Sequence, residues 1–136
     1  MTHTRPAALT LANHVTSLAA GRVHSLAATD DGLVLAWGDN NDGQLGDNTT
    51  TDRLTPVNVR YVQGNLLKLV IAVAGGDGHS LAALSNGAVV AWGSNASGQL
   101  GEGSTIDRHG AGLTAGQLES IIAVGAGRSH SLAAAK

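Results

Sequence analysis

The chain has 136 residues, 43% of them hydrophobic, with a formal net charge of −2 and no cysteine. That length suffices for one domain with a buried core, and the balanced charge lacks the basic face by which proteins bind nucleic acid or an anionic membrane. Without cysteine, disulfides, thiol catalysis and cysteine-based zinc sites are excluded. No apolar run is long enough to span a bilayer or to form a secretory signal, so we expect a cytoplasmic protein with no nucleic-acid or membrane partner.

The chain is organised by an internal repeat. Residues 24–38 recur as residues 79–93, since 79 − 24 and 92 − 37 both equal 55, and a third copy opens at His130. Self-similarity at this period indicates units that stack on one another to bury their apolar faces. We therefore divide the single domain (1–136) into the end of a preceding repeat (1–14), repeat 1 (15–69), repeat 2 (70–120) and the start of repeat 3 (121–136).

Each repeat is predicted to contain short β-strands in a fixed order. The first strand ends in glycine (residues 15–21, 70–76 and 121–127), and a β-hairpin follows with Asp31-Gly32 or Asn86-Gly87 in its turn. A proline opens the predicted fourth strand of repeat 1, whereas the corresponding part of repeat 2 is glycine-rich and could form a strand or a bare loop. Four antiparallel strands per repeat predict an all-β fold built from β-propeller blades.

The repeat resembles that of the regulator of chromosome condensation family. The shared string is Gly-x-x-His-Ser-Leu-Ala, then Asp/Asn-Gly, Trp-Gly, Gly-Gln-Leu-Gly and Asp-Arg, found in residues 21–53 and 76–108 and truncated in 127–134. The resemblance implies a β-propeller, usually of about seven blades, of which this sequence holds two full repeats and part of a third. It also implies that Trp37 and Trp92 pack between blades.

Polar loops follow the two tryptophans and contain the candidate partner-facing residues. These loops are rich in Asn, Asp and Ser, with glycine at their turns. The candidates are Asp39, Asn40, Asn41, Asp42, Asn95 and Ser97. No catalytic, cofactor-binding or metal-binding residue is predicted, and no cofactor is expected.

Three histidines, His24, His79 and His130, each precede a serine. The repeat places one histidine on each blade, so the three do not converge on a single metal ion. Consecutive side chains on a strand point to opposite faces, so the His and Ser of one copy cannot form a catalytic dyad. We expect each imidazole to have a structural role, with a ring nitrogen hydrogen-bonded to nearby backbone.

Two blades standing alone would leave sheet faces and strand edges uncovered. The sequence therefore predicts a non-catalytic scaffold for protein–protein interaction that self-associates, so that several copies complete one multi-chain ring with cyclic symmetry and another protein can bind to it. Two alternatives stay open. The chain could be an excised or designed propeller fragment with a purely structural role, or several chains could form an enzyme or ligand-binding site at the ring axis.

Overall fold

The computed structural model describes residues 14–114 and 120–135. These contain ten strands and no helix: β1 Val15–Ala20, β2 His24–Thr29, β3 Val34–Gly38, β4 Arg53–Asn58, β5 Val70–Gly75, β6 His79–Leu84, β7 Val89–Gly93, β8 Arg108–Leu113, β9 Ile121–Ala126 and β10 Ser131–Ala135. Strands β1 to β4 form one antiparallel sheet in chain order, β5 to β8 form a second, and β9 pairs with β10. The predicted all-β fold of four-stranded antiparallel units is confirmed.

The proposed repeat boundaries stay a prediction. Of the segment assigned to a preceding repeat, residues 1–13 lie outside the described part of the chain. The segments between β3 and β4 and between β7 and β8 are loops, in agreement with their polar, glycine-containing sequence.

Both hairpins close through the same three-residue turn. In the β2–β3 hairpin, Gly32 N donates to Thr29 O at 3.0 Å and Thr29 N donates to Leu33 O at 3.0 Å. Gly32 has a φ of 83°, and the equivalent Gly87 between β6 and β7 has a φ of 89°. A glycine with positive φ after a type I turn gives the bulged hairpin that matches the twist of the strands. The glycines that mark these turns in the sequence therefore have the predicted role.

The first and second sheets stack face to face, and the largest core lies between them. Its residues from β2, β3, β6 and β7 occupy alternate positions, as expected for side chains with a period of two. They are Leu26, Ala28, Val34 and Ala36 from the first sheet, with Ala82, Leu84, Val90 and Trp92 from the second. The opposite face of the second sheet packs against the β9–β10 sheet through smaller clusters that include Leu81, Val89 and Val124. The second sheet is thus covered on both faces.

The sheets converge along their first strands. β1 contacts β5, and β5 contacts β9. The approach is close enough that a Cβ atom at Gly75 would come within 2.8 Å of Gly21 N. Glycine at the end of each first strand therefore permits backbone contact between neighbouring sheets.

The glycine-rich residues 108–113 form a strand and not a bare loop. β8 pairs with β7 on one side. On the other, Ala111 N donates to Arg60 O at 2.8 Å, and Val62 N donates to Ala111 O at 3.2 Å. A Cβ atom at Gly110 would lie 3.1 Å from Arg60 O. The small residues are needed because the segment that connects the two sheets runs directly against this strand.

Candidate functional site

A polar cleft opens where the first strand of each sheet turns into the second and where the loops after β3 and β7 begin. It has a volume of about 250 Å³ and is lined by residues of the turns and loops that adjoin all three sheets. Its charged lining residues are Arg22, Asp39, Asp42, Asp77 and Arg128. The cleft therefore brings together Asp39 and Asp42, two of the predicted partner-facing residues.

One glutamine forms hydrogen bonds with both aspartates of the first loop. Gln44 Nε2 donates to Asp39 Oδ2 at 3.0 Å, and Gln44 Oε1 accepts from Asp42 N at 2.9 Å. Burial raises the pKa of Asp42 above its ordinary value, and neighbouring carboxylates add to the effect. On the opposite wall, Arg128 Nε lies 3.3 Å from Asp77 Oδ2. The cleft thus presents both signs of charge, with the Asp39 carboxylate held by Gln44, an arrangement suited to recognising another polypeptide.

Asn40 and Asn95, two other predicted partner-facing residues, are fully buried. Asn40 Nδ2 donates to Asp47 Oδ1 at 3.1 Å and to Thr51 O at 3.0 Å, and Asn40 Oδ1 accepts from Leu45 N at 3.0 Å. Asn95 makes the corresponding bonds within the second loop. The prediction that these two side chains face a partner is wrong, because a buried amide has to satisfy its polar groups inside its own loop. Both asparagines instead hold the loops in shape.

The remaining two candidates are at the surface. Asn41 and Ser97 are exposed. Ser97 is the repeat equivalent of Asp42, since 97 − 42 = 55, and its backbone N donates to Gln99 Oε1 at 2.9 Å. Their role in binding a partner stays a prediction.

An ion pair closes each loop. Arg53 Nε lies 2.9 Å from Asp47 Oδ2, and Arg108 Nη2 lies 3.2 Å from Glu102 Oε2. Burial alone would raise the pKa of Asp47, but hydrogen bonds that include those from Thr49 and Arg53 lower it overall. These ion pairs hold the loops that flank the cleft in one conformation, which preorganises the cleft residues that the loops carry.

Neighbouring sheets are joined by a histidine and a serine from consecutive repeats. His24 Nε2 lies 2.9 Å from Ser80 Oγ, and Ser80 Oγ donates to Gln44 O at 2.8 Å. Because the hydroxyl has only one proton, His24 Nε2 has to donate to it, so the imidazole does not act as a base on this serine. The same arrangement joins the second sheet to the third through His79, Ser131 and Gln99.

This pair joins different copies of the repeat, and it was not predicted from the sequence, in which the His and Ser of one copy are adjacent. The available signal was the alternation of strand side chains, which sends His and Ser of one strand toward different neighbouring sheets. Burial, followed by the charge of His79, lowers the pKa of His24 to about 4. Burial also lowers the pKa of His79. Both rings are consequently neutral at pH 7 and link adjacent sheets.

Within residues 14–114 and 120–135, no three histidine, aspartate or glutamate side chains are grouped so that they could hold a metal ion. The same part of the chain has no helix with the length and apolar character needed to cross a membrane.

Two family models for the Regulator of chromosome condensation (RCC1) repeat match the chain. One matches residues 31–83 and 86–134, and the other matches residues 15–44 and 70–99. The first of these alone covers more than half of the chain.

Curated relatives match over a small part of their own length. The Ultraviolet-B receptor UVR8 of Arabidopsis thaliana is 36% identical over 95 residues, which are 70% of this chain and 21% of that protein. The E3 ubiquitin-protein ligase HERC2 of Homo sapiens is 37% identical over 93 residues, which are 68% of this chain and 2% of that protein. The chain thus spans about a fifth or less of these relatives.

Solved structures with the same fold are also larger than this chain. Yeast RCC1 (Prp20), in a structure where it is bound to Kap60, superimposes with a TM-score of 0.73 at 28% identity, covering 90% of this chain and 28% of that one. Human WBSCR16 superimposes with a TM-score of 0.76 at 23% identity, covering 90% of this chain and 31% of that one. The second likeness concerns the fold alone.

Proposed function

Because this chain belongs to the regulator of chromosome condensation (RCC1) repeat family, we propose that it is a non-catalytic β-propeller scaffold for protein–protein interaction that self-associates into a closed ring. Its two four-stranded sheets are propeller blades, here called blade 1 (β1–β4) and blade 2 (β5–β8), and the β9–β10 sheet is called blade 3. Solved relatives are described as bound to Kap60, or as binding Gsp1p and histones. By analogy, this chain binds another protein.

The polar cleft carries the interaction part of the proposal. It combines acidic and basic side chains on loops that are closed by ion pairs and buried asparagines. The cleft does not suggest a catalytic reaction. At each blade junction a serine contacts a histidine, but the serine hydroxyl donates its proton to a backbone carbonyl and so is not activated as a nucleophile. Fixed polar groups at a junction of rigid elements favour docking of a protein surface.

Site-specific photo-crosslinking tests the docking surface. A photoreactive residue is placed at Asn41 or Ser97 beside the cleft, or at Gln63 on an exposed turn away from it, and crosslinked proteins are identified by mass spectrometry. We expect the same protein to be captured from both cleft positions and not from position 63. Capture of the same protein with equal yield from all three positions would contradict the assignment.

A charge reversal provides the matched control. Arg22→Glu changes the charge of the cleft, whereas Lys68→Glu makes the same change at an exposed residue outside its lining. Arg22→Glu should reduce the crosslinking yield at position 41 by about tenfold or more, because like or unpaired charges in an interface disfavour binding, and Lys68→Glu should leave it unchanged.

The exposed flanks of the described blades support self-association. Leu81 in blade 2 is 1% exposed, whereas its repeat equivalent Leu132 in blade 3 is 63% exposed. On the opposite flank, Val73 in blade 2 is 7% exposed, and its equivalent Leu18 in blade 1 is 70% exposed. A repeat protein covers such faces with further repeats, and a head-to-tail contact has to close to avoid filaments. We therefore propose a ring of about six to eight blades supplied by several copies.

Light scattering coupled to size-exclusion chromatography tests ring closure. The 136-residue chain should elute as a defined multiple of 13.6 kDa. Leu18→Asp, on the flank of blade 1, should lower the mass, whereas Leu54→Asp, at a residue that is 99% exposed on the outer strand β4, should not. A folded monomer of 13.6 kDa at all concentrations would refute self-association.

A further inference from the structure

The turn between β6 and β7 contains the one asparagine in the sequence that is followed by glycine. Its residues include Asn86 and Gly87, whereas the seven other asparagines of the chain precede larger residues. Asparagine is a chemically labile residue, and a following residue without a Cβ atom leaves its own backbone nitrogen unshielded. The Asn86 side chain is exposed to water. The turn therefore brings together a labile amide, an accessible nucleophile and solvent.

A hydrogen bond holds the Asn86 side chain beside the backbone nitrogen that can attack it. Asn86 Oδ1 accepts from Ala88 N at 3.1 Å, which folds the side chain back over the turn. When a nucleophile adds to Asn86 Cγ, negative charge develops on Oδ1, and the same N–H donor stabilises this charge as in an oxyanion hole. The turn thus orients and polarises the amide for attack by its own backbone.

A second hydrogen bond restrains the attacking nitrogen. Gly87 N donates to Leu84 O at 2.9 Å, and Leu84 N donates to Ala88 O at 2.9 Å. Gly87 N has to leave its bond to Leu84 O before it can attack, so the reaction depends on opening of the turn. An exposed turn opens at a small cost in free energy, because few contacts are lost. The turn therefore slows the reaction without preventing it.

We infer that Asn86 is a modification site at which the folded chain undergoes spontaneous deamidation. Gly87 N gives up its proton to hydroxide and forms a bond to Asn86 Cγ. The Cγ–Nδ2 bond then breaks, and the leaving nitrogen takes a proton from water and departs as ammonia, which leaves a succinimide ring between the two residues. Water opens this ring either at Cγ, which yields an ordinary aspartate, or at the main-chain carbonyl carbon of residue 86, which yields isoaspartate. Either product adds one negative charge.

Repeat 1 shows that an aspartate fits this turn. Asp31 is the repeat equivalent of Asn86, since 86 − 31 = 55, and it precedes Gly32. The glycines of the two turns have closely similar φ values, so the two turns have the same backbone conformation. Thr29 Oγ1 donates to Asp31 Oδ1, whereas repeat 2 has Leu84 at the threonine position. The ordinary aspartate product is therefore compatible with the fold of blade 2.

Isoaspartate changes the turn, because it inserts an additional main-chain carbon between Asn86 and Gly87. Gly87 O accepts from Ile121 N at 3.3 Å and so joins the turn to blade 3. Ile121 is 5% exposed and packs in one cluster with Ala83 and Val89 of blade 2. Displacement of Gly87 therefore weakens the junction between blades 2 and 3. The turn lies at the opposite end of β6 from the polar cleft, so this inference is independent of the proposed docking surface.

Peptide mapping by mass spectrometry tests the site. The folded 136-residue chain is incubated at mildly alkaline pH, and electron-transfer fragmentation then distinguishes aspartate from isoaspartate at each asparagine position. We expect Asn86 to convert before any other asparagine, at a rate within about 30-fold of that in a free peptide of residues 82–91, since local opening of the turn is a small restraint. The rate should rise about tenfold per pH unit, because hydroxide removes the proton of the attacking nitrogen.

Asn65 is the internal control for this measurement. It is also exposed, but Leu66 follows it, so it should keep its amide while Asn86 reacts. Conversion of Asn65 or another asparagine before Asn86, or a rate at Asn86 more than about 30-fold below that of the peptide, would overturn the inference.

Two substitutions at the same position test the structural consequence. Asn86→Asp should unfold at the same urea concentration as the unmodified chain, because repeat 1 has aspartate at the equivalent position. Asn86→Ser keeps a small polar turn residue but has no amide to lose. After ageing, the Ile121 amide of the unmodified chain should show a component of hydrogen exchange that is about tenfold faster or more, equal in size to the isoaspartate content, and aged Asn86→Ser should show none. Equal exchange in the two aged chains would contradict the weakened junction.

Discussion

Two interfaces join the described blades, one between blades 1 and 2 and one between blades 2 and 3. They contain the same polar contacts but different apolar contacts. His24, Ser80 and Gln44 are joined by contacts of 2.9 and 2.8 Å, and the corresponding contacts one blade further along are 3.1 and 2.6 Å. Among the described residues, the first interface alone contains the indole of a third strand. The two junctions therefore share their polar contacts and differ in whether a tryptophan ring covers the apolar face.

Replacing the two tryptophans should give the largest difference in stability between the two blades. Trp92→Ala removes a fully buried ring and its hydrogen bond to Gln44 O, and it should lower the free energy of unfolding by about 4 kcal/mol. Trp37→Ala, at the partly exposed equivalent in blade 1, should cost about 1–2 kcal/mol in a single chain, and about as much as Trp92→Ala where ring closure covers it. Urea denaturation followed by circular dichroism measures both values. Equal losses would mean that Trp37 is also buried in solution, as ring closure by further copies requires.

Acid should weaken the first interface more than the second. In the unfolded chain a histidine titrates near 6.5, whereas burial lowers the pKa of His24 in the folded chain to about 4. The unfolded state then binds more protons between these values, so stability falls as the pH drops from about 6.5 to 4, by about 3 kcal/mol for this residue. The pKa of His79 is lowered in the same direction, with burial as the main cause.

Replacement by glutamine isolates the effect of each histidine. Urea denaturation at pH 7 and pH 4.5 should show a smaller loss of stability on acidification for His24→Gln than for the unmodified chain. His79→Gln should have a weaker effect of the same sign. An unchanged loss of stability in His24→Gln would show that His24 is not buried in its neutral form.

The paired glycines give the smallest expected difference. Gly46→Ala and Gly101→Ala both place a Cβ atom on a residue with positive φ, which costs about 1 kcal/mol. Gly46→Ala also forces that atom within 2.8 Å of the Trp92 ring, so its total cost should be about 3 kcal/mol. Thermal or urea denaturation of the two variants compares a turn that is covered by the Trp92 ring with one that has no ring against it. Similar costs would indicate that a side chain also covers Gly101 in solution.

The local elements were predictable from the sequence because their causes are local. The hairpin turns depend on Gly32 and Gly87, and the first strands end at glycines that allow close backbone approach. The polar composition of the two loops likewise predicted their irregular backbone. The glycine-rich β8 was ambiguous, because its strand is supported by the connecting segment at Arg60 and Val62, which lies far away along the chain.

The candidate site was predicted only in part. Asp39 and Asp42 line the polar cleft, but Arg22, Asp77 and Arg128 were not recognised as their neighbours. Polar composition alone also could not distinguish surface residues from the buried asparagines that organise each loop. That distinction depends on the three-dimensional path of the loop, which surrounds each amide with carbonyl groups and carboxylates.

By itself, the sequence determined the repeat, the order of the strands and the turns, because periodicity and the conformational freedom of glycine act over a few residues. Only the tertiary structure decided which repeated residues meet across the blades, which of two identical leucines is buried, and which of two equivalent tryptophans is fully buried. Those outcomes depend on what stacks against each blade. Identical residues in successive repeats therefore have different surroundings.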